Sequence, residues 1–330
     1  MGLRLVGARV SAAPPVVVLG EALVDVFAEG ELPGGAPFNV ACHLAGLGLT
    51  PRFISRVGND AAAARLDSAA ALCGLSMRHV QRDVHRPTGR VRVHEQAGAH
   101  RFEILPDQAY DWIDAADARR ALEDCDAAAC AAGWLYHGSL ISRGPAATAL
   151  AALAALPLRR FVDLNWREAG ATPEQALAAL RGVHVLKLND EELALLCSWT
   201  GLPVTRAGAA VTGAGDTIAR LATRLHAGLL VLTHGAAGAS AWDARGRCIA
   251  RQPAAPVSRL VDTVGAGDAL AAALLAALVQ GVAVPQALAL AARFAAALCG
   301  QRGALPEHPG FYAPWREQLQ QSAVPAAGEA

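Results

Sequence analysis

One stretch of the sequence, Asp262-Thr-Val-Gly-Ala-Gly-Asp268, combines an aspartate with the features of an anion-binding helix start. Gly265 and Gly267 let the backbone approach a ligand closely, and an apolar run from Ala269 to Val279 follows directly. Because the first amides of a helix lack intrahelical acceptors and the helix dipole adds to them, this helix start could hold a phosphate. Asp268 would then lie beside the phosphate. The alternative interpretation is that Asp268 only caps the helix.

A second copy of the tetrapeptide, Gly213-Ala-Gly-Asp216, shows that the tetrapeptide alone is not sufficient evidence. The helix predicted after Asp216 carries Arg220 and Arg224, as expected of an amphipathic surface helix. The helix predicted after Asp268 has no charge for more than two turns, so it must be buried and its start must lie in a cleft. We therefore predict that Asp268 is functional and that Asp216 is a helix cap.

Short apolar runs alternate along the chain with Ala/Leu-rich stretches of helical length. The runs are Val16 to Gly20, Phe53-Ile54, Trp134 to Tyr136, Phe161-Val162, Val183 to Leu188 and Leu229 to Thr233; the helical stretches include Ala146 to Leu156 and Pro173 to Leu180. This alternation predicts an α/β fold with a mostly parallel sheet between helices. Ligands of such sheets bind beyond the carboxyl ends of the strands.

A different pattern, with apolar and charged residues alternating around Gly98, indicates a hairpin with one wet face. We predict a small antiparallel β lid formed from about residues 26–34 and 86–105. The lid would project from a single domain covering residues 1–330. The tail, residues 319–330, is predicted to be frayed.

The composition bears on partners and location. Lys plus Arg and Asp plus Glu both number 29, so no overall basic field attracts nucleic acid or an anionic membrane. The seven cysteines form no Cys-x-x-Cys pair, and the apolar run near the N-terminus is too short for a secretory or membrane-spanning segment. We expect free thiols and a cytoplasmic protein with small-molecule partners.

Two separated segments resemble the signatures of one family, the ribokinase-like (PfkB) carbohydrate kinases. They are the segment around Asp268 and the segment Gly34 to Gly48, some 220 residues earlier. The likeness runs from about Val16 to Pro306 and is closest in appearance to bacterial fructokinases. It implies a ribokinase-like fold and an ATP-dependent sugar kinase whose catalytic base is Asp268.

The resemblance also implies roles for individual residues. Around Asp268, the transferred group would meet Gly265, Ala266 and Gly267; the sugar would meet Asp25, Gly34, Gly35, Asn39, Asn165 and Arg167; the nucleotide would meet Asn189, Thr233, Gly235 and Gly238. Glu192 would act near Mg²⁺, through water if the ion keeps its hydration shell. For Asn39 the alternative is a helix cap, and for the Gly34-Gly35 pair it is a simple turn. A K⁺ site near Asp262 and a homodimer formed through the lid are further possibilities that the family suggests.

Several substrates fit this interpretation. Fructose comes first, a 2-keto-3-deoxy sugar acid second because Asn165 and Arg167 could meet a carboxylate, and ribose or a nucleoside third. A catalytically inactive sugar sensor is an alternative of another class. The chain has neither the phosphate-binding P-loop motif nor the Gly-x-Gly-x-x-Gly fingerprint of a dehydrogenase after its first strand.

Overall fold

The computed structural model describes residues 14–96, 99–167, 170–203, 214–257 and 259–322. The strands in these ranges are β1 (Val16–Leu19), β2 (Leu23–Phe27), β3 (Gly30–Gly34), β4 (Arg52–Gly58), β5 (Val80–Asp83), β6 (Gly89–Gln96), β7 (Ala99–Ile104), β8 (Trp134–His137), β9 (Arg159–Asp163), β10 (Val185–Asn189), β11 (Leu229–Thr233), β12 (Ala239–Asp243) and β13 (Cys248–Gln252). The α-helices are α1 (Ala36–Gly46), α2 (Ala61–Cys73), α3 (Ala115–Arg120), α4 (Ala127–Ala132), α5 (Ala147–Ala154), α6 (Pro173–Ala179), α7 (Asp190–Thr200), α8 (Ala214–Leu225), α9 (Ala266–Val279), α10 (Val284–Leu298) and α11 (Ala313–Ser322).

Nine strands form the large sheet, in the order β13-β12-β11-β10-β9-β8-β1-β4-β5. All neighbouring pairs from β11 to β5 are parallel, whereas β12 and β13 are antiparallel additions at one edge. The central strands are buried on both faces, as in β1, where all four residues are buried. One apolar cluster covers one face, and two further clusters cover the other. The predicted mostly parallel sheet between helices is therefore confirmed.

The helices after the two Gly-Ala-Gly-Asp copies differ as the sequence predicts. In α9, residues 269–277 are all buried, and the helix packs against α1 and α10. In α8, only one side is buried, including Ile218, Leu221 and Leu225. Although α9 is strongly apolar, it has only 14 residues, and no helix in the described part of the chain is long and apolar enough to cross a membrane.

A separate four-stranded sheet has the order β3-β2-β6-β7. It consists of two antiparallel pairs, β2 with β3 and β6 with β7, whose inner strands β2 and β6 run parallel. One face buries Leu23, Val91 and Ile104 in a small apolar cluster. The segments predicted as a lid lie in this sheet, although residues 97–98 at the predicted hairpin turn are outside the described ranges.

The C-terminal region corrects one prediction. Helix α11 continues to Ser322, and Leu319 is fully buried. Residues 319–322 are therefore not frayed, because the helix keeps an apolar contact with the core that the polar sequence around it does not suggest. Residues 323–330 lie outside the described ranges, as do Thr212 and Gly213 of the second copy.

Candidate active site

A cavity of about 400 Å³ lies between the small sheet and the start of α9. Eight of the predicted site residues line it: Asp25, Gly35, Asn39, Asn165, Arg167, Gly265, Gly267 and Asp268. They come from segments spread along the chain, and the fold brings them together at the carboxyl ends of the strands. The cavity lies where ligands of open parallel sheets bind.

The start of α9 forms the floor of the cavity. Gly265 is the N-cap residue, with φ 76°, and a Cβ there would lie 2.5 Å from the Cα of Ala304. Only glycine fits this position, because both the left-handed backbone and the close approach of the 304 loop exclude a side chain. Asp268 is the third residue of the helix, so the interpretation that Asp268 is the cap is wrong.

The amides at this helix start are not all available to a ligand. The N–H of Ala266 donates to the carbonyl of Thr263 at 3.2 Å, closing a turn. The predicted contact from the Ala266 amide is thus already used by the backbone. The amides of Gly267 and Asp268 have no acceptor among the described residues, since the turn before the helix places no carbonyl within their reach.

Asp268 is held by a residue from the other signature segment. Asn39 Nδ2 donates to Asp268 Oδ2 at 2.8 Å. Asn39 is the fourth residue of α1, whose N-cap is Gly35 with φ 99°, so Asn39 does not cap its helix. The two signature segments therefore meet in space, and the Asn39 amide orients the aspartate carboxylate.

Carboxyl groups in the cavity resist ionisation. Burial raises the pKa of Asp268 to about 6, opposed by the Asn39 hydrogen bond and by the positive charges of Lys187 and Arg167. Burial and the charge of Asp268 also raise the pKa of Asp25 to about 6. Burial raises the pKa of Glu21 to about 7, and Asp268 adds to this effect. The three carboxyls thus line one cavity, and the charge of Asp268 raises the pKa of the other two.

Asp25 and Gly34 lie in the small sheet. Asp25 follows β1 and lies inside β2, where it pairs with Leu32 of β3. A Cβ on Gly34 would be 2.3 Å from Asp25 Oδ2. Gly34 therefore makes room for the Asp25 carboxylate and is not among the residues that line the cavity.

Asn165 and Arg167 follow β9 and line the cavity on the side of the large sheet. Asn165 has φ 39°, a left-handed conformation that asparagine tolerates better than most residues. The segment that carries Asn165 and Arg167 is fixed by a hydrogen bond, because Trp166 N donates to Glu192 Oε1 at 2.8 Å. Glu192 thus positions the segment that carries both side chains.

The residues predicted for the nucleotide lie outside this cavity. Asn189 and Thr233 are register partners at the ends of β10 and β11. Gly235 and Gly238 follow in the next turn with φ 54° and 100°, and a Cβ on Gly238 would lie 2.1 Å from the carbonyl oxygen of Gln252. Asn189 caps α7 by accepting from Glu192 N at 2.8 Å. Asn189, Thr233, Gly235 and Gly238 thus lie together at the carboxyl ends of the adjacent strands β10 and β11, and we call this group the edge.

Glu192 is the residue predicted to act near a metal. Its Oε2 accepts from Asn189 N at 2.8 Å, so both carboxylate oxygens hold backbone amides. No group of three or more acidic, histidine or cysteine side chains that could hold a metal occurs within the described ranges. The donors at this edge therefore suit an ion such as Mg²⁺ only if most of its ligands are water and phosphate oxygens.

Two groups of site residues were missed by sequence reasoning. Glu21 lines the cavity and is only 6% exposed. Lys187 Nζ donates to Asp163 Oδ2 at 2.7 Å, and both side chains are buried near Gly267. The sequence signal was a charged residue after an apolar strand for Glu21, and a charged residue within an apolar strand for Lys187 and Asp163. Buried charges need a partner or a function.

Asp216, in the second copy, is exposed and lies outside the cavity. It is the third residue of α8, so the prediction that it is the N-cap is wrong. The local position of Asp216 in its helix matches that of Asp268. Only the burial of the helix and the neighbours supplied by the fold distinguish the two aspartates.

The fold and the cavity at the strand ends define a ribokinase-like α/β protein. A family model described as pfkB family carbohydrate kinase matches residues 16–309. The fructokinase of Klebsiella pneumoniae is 32% identical over 323 residues, covering 92% of this chain and 98% of that protein. The chain belongs to the pfkB family and is a carbohydrate kinase, which confirms the resemblance and the enzyme class predicted from the sequence.

Solved structures agree with the fold. The fructokinase of Xylella fastidiosa with bound ATP superposes with a TM-score of 0.75 at 20% identity, covering 93% of this chain and 99% of the other. A double mutant of the fructokinase of Vibrio cholerae O395, bound to fructose, ADP and a potassium ion, superposes with a TM-score of 0.68 at 22% identity, covering 96% and 100%.

The raised pKa of Asp268 predicts a cost in stability. The folded pKa, about 6, exceeds the ordinary 3.8, so the cost appears as the pH rises through 4 and is complete above 6. Asp268→Asn should raise the free energy of unfolding at pH 8 by on the order of 1 kcal/mol and change it little at pH 4. Urea unfolding at both pH values measures this.

Asp216→Asn is the matched control for this prediction. It removes an exposed aspartate from the same helical position, so it should lose a few tenths of a kcal/mol at pH 8 through the helix dipole. A gain of equal size in both variants would contradict the assignment of the cost to the cavity.

Proposed function

We propose that this kinase transfers the γ-phosphoryl group of ATP to a primary hydroxyl of fructose, with Asp268 as the base. The observation that carries the proposal is the Asp268 carboxylate, held by Asn39 in the cavity. It lies beside the amides of Gly267 and Asp268, which find no acceptor in the described part of the chain. A proton acceptor and an anion site thus lie next to each other. Phosphoryl transfer to a hydroxyl needs both.

Asp268 would accept the proton of the attacking hydroxyl. A pKa of about 6 leaves the carboxylate mostly ionised at neutral pH while making it a better base than an exposed aspartate. Because the transition state of phosphoryl transfer is loose, the proton can leave late and no stronger base is required. Asn39 keeps the accepting oxygen oriented during the reaction.

The amides of Gly267 and Asp268, together with the helix dipole, would stabilise the charge on the transferred group. Gly267 has no structural need to be glycine, because its φ is not in the left-handed region and a Cβ would meet only Lys187 Nζ, at 3.5 Å. Its exposed surface faces the cavity. The absence of a side chain at Gly267 therefore supports close approach of a ligand to the backbone.

The charges in the cavity support a neutral sugar. Glu21, Asp25 and Asp268 face the same space as one cation, Arg167. Carboxylates accept hydrogen bonds from hydroxyls, but they repel an anionic acceptor. The identity to a relative named fructokinase favours fructose among neutral sugars. Ribose or a nucleoside ranks lower.

A 2-keto-3-deoxy sugar acid is the second candidate, since Arg167 and Asn165 line the cavity and could bind a carboxylate. The three carboxyls in the same space oppose it. An inactive sensor is the third candidate, and the retained pair of Asp268 and Asn39 argues against it.

ATP would lie along the edge formed by Asn189, Thr233, Gly235 and Gly238, with its γ-phosphate at the start of α9. When bound, Mg²⁺ supplies charge neutralisation of the phosphates, and Glu192 would reach it through water. A K⁺ ion is a further candidate ligand, since a fructokinase of similar fold was solved with potassium bound, and we place it near Asp262 as a proposal. Asp262 accepts from Val264 N and Gly303 N, both at 2.9 Å, so it ties the loop before α9 to the 303 loop.

The small sheet would act as a lid that limits hydrolysis of ATP by excluding water. We also propose a homodimer through the lid and a cytoplasmic location, where the seven free cysteines stay reduced.

A coupled assay of ADP release over a panel of sugars tests the substrate. Fructose should show the highest kcat/KM, above ribose and 2-keto-3-deoxygluconate. A higher value for the sugar acid would identify the second candidate. Sugar binding without any ADP release would indicate a sensor.

Asp268→Asn should lower kcat by about 10²- to 10⁴-fold, the usual contribution of a general base. The Kd for fructose, measured by calorimetry without ATP, should stay within a few-fold. Asp216→Asn, the matched control, should keep full turnover. The base assignment fails if Asp268→Asn retains activity within tenfold of the parent.

Gly267→Ala separates a ligand requirement from a structural one. Because the methyl group fits and alanine favours helix, thermal stability should be unchanged or higher. The methyl group would occupy the approach to the amides, so kcat/KM should fall by about 10- to 100-fold.

Gly215→Ala, in the second copy, should show the opposite behaviour. A Cβ there would lie 2.7 Å from the Gly246 carbonyl oxygen, so stability should fall while activity is kept. Full activity of Gly267→Ala would contradict close approach of the phosphate.

A further inference from the structure

Glu21 is a buried carboxyl group in the cavity whose role the proposed base and anion site do not explain. It follows β1 by two residues, its side chain is 6% exposed, and it lines the cavity. Gly35 leaves room for it, because a Cβ there would lie 2.8 Å from the Glu21 carbonyl oxygen and 3.3 Å from its Cγ. The fold therefore accommodates this side chain closely beside the cavity.

The Oε2 atom of Glu21 is buried and has no hydrogen-bond partner among the residues that the structure describes. A buried acceptor without a donor destabilises the folded protein, so native structures rarely keep one without a reason. The charges that act on Glu21 are Asp268, Arg167 and Arg143. Of these, Arg143 is held by Asp111 at 2.7 Å and Tyr110 OH at 2.7 Å.

Two other carboxyls near the start of α9, those of Asp268 and Asp163, have hydrogen-bond donors. Asp268 receives the Asn39 hydrogen bond, and the buried Asp163 receives one from Lys187 at 2.7 Å. Glu21 thus lines the same cavity as the proposed base Asp268, and its Oε2 is available to accept a hydrogen bond from a ligand. A ligand with several hydroxyl donors would satisfy it, whereas an anionic ligand would add repulsion.

We infer that Glu21 is a specificity-determining residue of the acceptor site, whose carboxylate accepts a hydrogen bond from a sugar hydroxyl that is not phosphorylated. The same carboxylate disfavours acceptors that carry an acid group. This inference rests on the proposed function, since it assumes that the cavity binds a sugar.

The test compares wild type with Glu21→Gln at pH 8.5, above the pKa of about 7 that burial gives Glu21, so that the substitution keeps the size of the side chain and removes its charge. For fructose, KM and the directly measured Kd should rise by about 10- to 100-fold, as for the loss of a hydrogen bond to a charged group, while kcat changes by less than about fivefold. Resistance to urea should stay equal or rise, because an unpartnered buried carboxyl has been removed. A purely structural role would move stability and KM in the same harmful direction.

Deoxyfructose analogues, each lacking one non-reacting hydroxyl, identify the contact. Wild type should lose affinity for every analogue that lacks a bound hydroxyl. Glu21→Gln should show no further loss for one of them, because the partner of that hydroxyl is already gone. Glu21→Asp keeps the negative charge on a side chain that is shorter by one methylene group. If the charge contributes to binding, this variant should lose less affinity for fructose than Glu21→Gln.

Asp83→Asn is the matched control, since Asp83 is a buried acid outside the cavity that accepts from His85 N and Arg86 N at 2.8 and 3.0 Å. It should lower stability and leave the discrimination among analogues unchanged. If wild type phosphorylates fructose but Glu21→Gln keeps the same KM and the same loss of affinity for each analogue, this inference alone is overturned. Wild type that neither binds nor phosphorylates any sugar overturns the proposed function as well.

Discussion

A single hydrogen bond joins two distant parts of the chain at the cavity: Asn39 Nδ2 donates to Asp268 Oδ2, across 229 residues of sequence. It forms where α1 and α9 pack against each other within the same apolar cluster. The contact fixes the orientation of the carboxylate and lowers its pKa against the effect of burial. The geometry of the site therefore depends on the packing of these two helices.

The electrostatic balance of the site follows from this arrangement. Burial raises the pKa of Asp268, Glu21 and Asp25, because each carboxyl group loses hydration in the cavity. Lys187 provides a positive charge close to the Asp268 carboxyl, since it is buried beside Gly267 and paired with Asp163. A neutral polyol and a phosphate group would suit this cavity together. The hydroxyls of the polyol can donate to the carboxylates, and the phosphate oxygens can accept from the amides at the start of α9.

Much of the fold could be predicted from the sequence. Uninterrupted apolar runs such as Val16 to Leu19 indicated strands buried on both faces, and the uncharged run after Asp268 indicated a buried helix; both predictions are confirmed. Predictions of local detail were less accurate. Leu319 is buried although its neighbours are polar, and Asp268 and Asp216 are third residues of their helices, not caps. Helix boundaries depend on backbone contacts, such as the turn from Ala266 to Thr263, that composition does not reveal.

The sequence by itself indicated the family, the parallel sheet and the buried helix after Asp268, because hydrophobic patterning and the two signature segments are local properties of the chain. Only the tertiary structure showed that Gly34 makes room for Asp25, that the Ala266 amide is already used, and that Glu21 borders the cavity with an unmet acceptor. Each of these depends on which atoms from distant segments lie within hydrogen-bonding or contact distance. Such distances are set when the helices and the two sheets pack, and not by the spacing of residues along the chain.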